Sequence, residues 1–133
     1  MSPISSAVFS RRCISTGALL MLAGVMLGAF GAHLLEARLE PRRLASYQTA
    51  VLCQFLHAFG LVLVGLVARA TGVTSSLRWS AWLMLFGIAC FSGSIYLVTA
   101  GATRALGMVA PVGGISFMVA WAMLARHALT IRD

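Results

Sequence analysis

The chain has no lysine, only three acidic residues, and long stretches with no charge at all. The acids are Glu36, Glu40 and Asp133, and all ten basic residues are arginine. Residues 13–35, 44–68, 79–103 and 105–125 contain no Asp, Glu, Lys or Arg. A sequence that is 60% hydrophobic and 10% charged has too little polar surface for a soluble domain. Paired cysteines are missing too. Cys13, Cys53 and Cys90 stand singly, each in or beside an apolar run, without CxxC spacing. That excludes a thiolate metal cluster or a disulfide framework and reads the three as small apolar fillers. There is no phosphate loop, no Ser-His-Asp set, and no cluster of histidines and carboxylates. The sequence therefore points to no enzyme, no metal and no cofactor.

What is present is four apolar runs. A bilayer needs about 20 apolar residues of helix to cross it. The runs predict helices over about 14–35, 47–68, 79–103 and 105–125. The expected fold is an all-α integral membrane protein, a four-helix antiparallel bundle occupying 1–133 as one domain. The links are residues 36–46, broken by Pro41, and residues 69–78, with Gly72 and Ser75-Ser76; Arg104 is a very short turn. Short links make sequential helices antiparallel neighbours.

The first 15 residues hold Arg11, Arg12, several serines and no acid. A basic flank to the first helix, a mitochondrial-type presequence and a signal peptide compete for this segment. The apolar run after it exceeds the core of a signal peptide, which favours a retained helix.

A net charge of +7 would suggest nucleic acid in a soluble protein. Here the arginines flank apolar runs, where guanidinium groups meet lipid phosphates, so the expected partner is the bilayer and not nucleic acid. Four crossings put both ends on one side, with Arg11, Arg12, Arg69, Arg78, Arg126 and Arg132. The other side carries Arg38, Arg42, Arg43 and Arg104. The positive-inside rule then expects cytoplasmic termini in a bacterial inner membrane, with a mitochondrial inner membrane as the alternative. Around the first helix alone the balance points the other way.

Several residues are unusual for hydrocarbon. His57 lies about 15 Å deep at 1.5 Å of rise per residue, with Gln54 one turn before it. Counted from the side holding Arg104, Tyr96 is about 12 Å deep, Pro111 about 10 Å, and Gly28, Gly31 and His33 about 3–11 Å. Ser92 and Ser94 precede Tyr96, and Gly113 and Gly114 follow Pro111. Pro111 removes an amide and is expected to free a carbonyl near Gly107 for these hydroxyls. Together the residues predict one polar, close-packed layer in that half of the bilayer. The other half reads as plain Leu, Val, Met, Phe and Trp. The layer is either a pocket or a hydrogen-bonded lock. Gly24-xxx-Gly28, Ala89-xxx-Gly93 and Ala110-xxx-Gly114 have the spacing of close helix contacts, within the chain or with another protein.

Four blocks occur in order: Gly28-Ala-Phe-Gly-Ala-His33, then Thr49-Ala50-Val51 with Gln54 and His57-Ala58, then Phe91-Ser-Gly-Ser-Ile-Tyr96, then Pro111-Val-Gly-Gly114 with Phe117 and Trp121. Over about residues 17–125 the chain resembles the YgdD-like family of small inner-membrane proteins, domain of unknown function 423. Its animal relatives are called transmembrane protein 256. The family pattern usually has Tyr where this chain has Cys53, and often Thr where it has Ala110. The resemblance implies a four-helix membrane protein, bacterial or mitochondrial, with no established activity. Two functions remain. One is a structural or accessory protein packing with itself or a larger complex. The other is a small transporter or channel using a polar layer around His57.

Overall fold

Residues 3–131 are described by a computed structural model, and regular structure among them is entirely helical. α1 runs Pro3–Phe30 and passes into a π-helical turn, Gly31–Leu35. α2 runs Pro41–Thr71, with Pro41 in its first turn, where a missing N–H costs nothing. Gly72 ends α2 at φ +85°, a conformation open to glycine, and its N–H bonds Ala68 O. α3, Ser75–Gly87, starts from Thr74, whose hydroxyl accepts the Leu77 N–H. A π-helical segment, Ile88–Gly93, joins α3 to α4, Ser94–Thr99. A turn with Gly101 at φ +104° leads to a 3-10 segment, Arg104–Val109, and then α5, Ala110–Thr130.

Four continuous stretches are long and apolar enough to cross a membrane: Ser6–Leu35, Pro41–Thr71, Ser75–Thr99 and Arg104–Thr130. Each stretch starts before its apolar run; the second and fourth also end after theirs, the first ends with its run at Leu35, and the third ends four residues short. The first helix begins at Pro3, not near residue 14, because Arg11 and Arg12 end the uncharged run without breaking the helix. Both are exposed on α1. Arg104 is not the turn itself: Ala100–Thr103 makes it, and Arg104 opens the fourth span. Arg132 and Asp133 lie outside the described residues.

The second span is central. α1 packs chiefly on α2, α3 packs on α5, and α2 touches α3, the π segment and α4. Half of the second span's most apolar stretch is buried, against 11% of the first span's. Leu61, Val64, Leu77 and Met84 form the main core, and Ala58, Ile88 and Phe117 a second one. The other faces expose Leu19, Met26, Phe59, Trp79, Trp82 and Met118, as lipid-facing surfaces do.

Glycines set how closely the helices approach. A Cβ on Gly17 would meet Val62 and the Ala58 carbonyl; one on Gly24 would meet Phe55, one on Gly28 Val51, and one on Gly31 Tyr47. The α1 stripe thus packs on α2, within the chain. The other two small-residue stripes behave differently. Ala89 is exposed, Gly93 has one atom at 3.8 Å from an added Cβ, and Gly114 has none within 4 Å. The close contact of the third and fourth spans is instead Gly87 with Gly113, where a Cβ on Gly113 would lie 2.5 Å from Phe91 N and 2.9 Å from Gly87 O.

The two neighbouring glycines therefore respond oppositely to one methyl group. Gly113→Ala pushes α5 off the third span, an overpacking cost of about 1–3 kcal/mol. Gly114→Ala meets open space and gains up to about 1 kcal/mol of helix propensity. Thermal or denaturant melting of the two variants in one detergent checks the expectation; equal shifts would contradict the packing.

Candidate functional site

Gln54 is the centre of the polar layer. It is 3% exposed and uses both ends of its amide. Its Nε2 donates to Leu20 O of α1 at 2.7 Å, and its Oε1 accepts from Tyr96 OH of α4 at 2.8 Å. One side chain thus ties three spans. Tyr47 donates to Leu27 O at 2.7 Å, and its ring centroid stands 5.4 Å from that of Tyr96. Ser92, fully buried, donates to Ala50 O at 2.7 Å.

His57 takes a different partner. Its Nδ1 is 2.6 Å from Cys53 O, one turn back on the same helix, so Nδ1 carries the proton and donates. Its ring stacks on Phe117 of α5, with centroids 3.4 Å apart and planes 10° from parallel. Trp121 lies 6.1 Å away, tilted. His57 therefore spends its Nδ1 proton on its own helix and serves α5 as an aromatic plate.

Other residues expected in the layer lie outside it. Ser94 donates to Phe91 O, 3.0 Å away, closing the end of the π segment instead of reaching another helix. His33 is exposed in the terminal turn of the first span. Pro111 is exposed in the first turn of α5, so it starts a helix and does not kink one. The carbonyl of Gly107, expected to be free, accepts the Ala110 N–H. The hydroxyls of Ser92 and Tyr96 turn to the second span instead. Of the glycines, Gly31 and Gly113 are buried at helix contacts, Gly28 is half-buried, and Gly114 faces open space.

The opposite half of the bundle is not plain hydrocarbon. Ser10 donates to Gly65 O at 2.7 Å, Ser80 to Ala120 O at 2.9 Å, and Ser116 to Leu83 O at 2.8 Å. His127 is 3% exposed between two threonines: Nε2 lies 2.9 Å from Thr71 Oγ1 and Nδ1 3.0 Å from Thr74 Oγ1. Thr71 already donates to Val67 O, so it accepts from His127 Nε2–H, and Thr74 donates to Nδ1. A depth count misses serines because one hydroxyl costs little in an apolar helix. Their helical spacing could have found them: Ser80 lies one turn before Met84, and Ser116 one turn before Ala120, on faces that prove to be core.

Chemically, the arrangement consists of neutral donors aimed at carbonyls. Among the described residues, no buried side-chain nitrogen or oxygen lacks a hydrogen-bond partner, and no three His, Cys, Asp or Glu residues stand close enough to hold a metal.

Residues 27–114 match the family described as Protein of unknown function (DUF423). The chain belongs to this family. A UPF0382 membrane protein of Staphylococcus saprophyticus is 39% identical over 111 residues, covering 84% of this chain and 91% of the relative. One from Staphylococcus epidermidis is 38% identical, covering 84% and 89%. The UPF0382 membrane protein YwdK of Bacillus subtilis is 38% identical, covering 84% and 90%. No solved structure matches. The family match spans Gln54, His57, Ser92 and Tyr96, so the layer lies within the segment shared with the family. With four apolar spans and relatives named as membrane proteins, the chain is a membrane protein in a lipid environment.

The Gln54–Tyr96 pair yields a double-mutant cycle. Gln54→Leu strands the Tyr96 hydroxyl and returns Leu20 O to its helix bond alone, and Tyr96→Phe strands Gln54 Oε1; each costs about 1–3 kcal/mol. The double variant costs less than the sum of the two, with a coupling of about 0.6–1.7 kcal/mol. Unfolding free energies in mixed micelles measure it, and strict additivity would deny the bond.

Proposed function

We propose that the chain is a structural or accessory membrane protein, a self-locked four-helix unit that packs with itself or with a larger membrane complex. The observation that carries this reading is that, among the described residues, every buried side-chain nitrogen and oxygen has a hydrogen-bond partner within the bundle. A permeation path needs polar groups free to exchange partners with a cargo, and an ion-coupled site at membrane depth usually needs a carboxylate. Glu36 and Glu40 are exposed in the first link, and His57 is bonded to its own helix. The reading assigns no reaction to the chain. Its support for packing comes from Ala89, Gly93 and Gly114, small residues at contact spacing that the bundle leaves open.

The same reading puts the chain in a bacterial inner membrane with the α1 start and α5 end in the cytoplasm. Arg11, Arg12, Arg69, Arg78 and Arg126 favour that side, against Arg38, Arg42, Arg43 and Arg104. The bacterial origin of the relatives favours the inner membrane over the mitochondrial one.

Two experiments test it. In the first, native cysteines are replaced and single cysteines placed at positions 54, 57, 94 and 113, with surface controls at 38 and 126. Small aqueous thiol reagents leave the four internal positions unlabelled, and an impermeant reagent applied to whole cells labels 38 and spares 126. Labelling of position 57 would favour a transport pathway instead. In the second, crosslinking in native membranes captures a species larger than the single chain. Gly114→Leu reduces that species at least several-fold while the bundle's own melting is not lowered. A clean monomer in native membranes would end the packing reading.

A further inference from the structure

The four spans do not close evenly. α1 lies on α2 and makes little contact with α3, leaving a cleft of about 610 Å³ between α1 and α3. Leu61 of α2 lies beneath it, itself fully buried. Cys13 and Thr16 of α1 form one wall, and Ala81 and Leu85 of α3 the other. The volume falls within the about 300–1,000 Å³ of ordinary small-molecule sites.

The cleft has a direction. α1 and α3 enter the membrane from the same side. Arg12 and Arg78 line the cleft from the two opposing helices. Thr16 is one turn beyond Arg12, and Leu85 two turns beyond Arg78, which is about 10 Å further toward the membrane centre. Trp82 lines the cleft one turn below Arg78 and is 67% exposed, an amphipathic ring at headgroup depth. The guanidinium groups thus stand in the outer part of the cleft, with Val8 and Phe9 one turn further out on α1, and apolar walls run inward from them. No carboxylate lines the cleft among the described residues. The nearest acids in sequence, Glu36 and Glu40, belong to the link at the other end of the bundle.

We propose that this cleft is a binding site for one anionic glycerophospholipid, its phosphate between Arg12 and Arg78 and an acyl chain along Thr16, Trp82 and Leu85. The chemistry is that of a phosphodiester held by two guanidinium groups, which offer it more donors than one arginine can. Both groups keep their water-facing surface, since both are exposed. The apolar channel selects a lipid over a free phosphate, because only a lipid fills both parts. A second helix is a poorer occupant: charge in the outer part and a narrow apolar interior suit a headgroup and a chain. The lipid would complete the contact that α1 and α3 do not make directly. It bears on the site alone and holds whether or not the bundle packs with a partner.

The test uses the full chain in nanodiscs of equimolar phosphatidylglycerol and phosphatidylcholine, with retained lipid counted by native mass spectrometry. The expected result is one retained phosphatidylglycerol per chain, enriched about tenfold over phosphatidylcholine. Arg12→Gln with Arg78→Gln abolishes the enrichment, and the paired lysine substitutions restore most of it. Arg126→Gln, on the same side of the bundle but outside the cleft, leaves it unchanged. Thr16→Trp, which narrows the channel and keeps both arginines, lowers retention several-fold. Millimolar inorganic phosphate does not displace the lipid. Equal retention of the two lipids, or enrichment surviving the glutamine pair, would overturn the site. Loss on Arg126→Gln would reduce it to general surface charge. Full retention by Thr16→Trp, or displacement by phosphate, would remove the acyl channel from it.

Discussion

Hydrocarbon offers no hydrogen bonds, and the whole bundle is arranged around that fact. A helix satisfies its own amides, but any side-chain donor carried into the membrane must find an acceptor on protein. Here the acceptors are mostly backbone carbonyls of a facing helix: Leu20, Leu27, Ala50, Gly65, Leu83 and Ala120. A carbonyl already bonded within its helix has a second lone pair, so accepting a serine or tyrosine proton leaves the ladder intact. Such bonds need helices close together. Gly24, Gly31 and Gly65 supply that closeness between the first two spans, and Gly87 and Gly113 between the last two. Small residues and hydroxyls are two parts of one device.

The second span carries most of it. Gln54 holds α1 with one end of its amide and α4 with the other, while Ala50 and Gly65 accept from opposite neighbours. Burial follows the same order, with the second span most enclosed and the first least. The first span is tied firmly along one face only, which is why a cleft can open beside it.

How much of this was legible in the sequence depended on what each signal costs. Charge is expensive in lipid, so its absence over 44–68 and 79–103 marked the spans reliably. Helix ends were less visible, since an arginine such as Arg12 is helical as readily as an alanine, and the helix reached back to Pro3. Gln54, Tyr96 and Ser92 stood out by depth, and the structure brings them together. The carbonyl expected to be freed by Pro111 is not free, because the Gly101 turn and the 3-10 segment, invisible to a depth count from Arg104, put Pro111 in the first turn of α5. His127, one residue past Arg126, lies beyond the fourth apolar run, where a depth count has nothing to say. Only the fold shows Thr71 and Thr74 closing around it.

The cross-links also have an order along the chain. Ser10, Tyr47 and Gln54 join the first span to the second; Ser92 and Tyr96 join the third to the second; Ser80 and Ser116 join the third and fourth in both directions. Each partner is thus the preceding or the following span, and His127 then fastens the fourth back to Thr71 at the end of the second. A chain threaded into the membrane from its first residue can therefore settle its polar groups two spans at a time. Among the described residues, Ser80 inside the third span and Thr74 at its start are the donors that wait for the fourth. Assembly can proceed as the ribosome delivers it, with the final histidine acting as the latch on a bundle already formed.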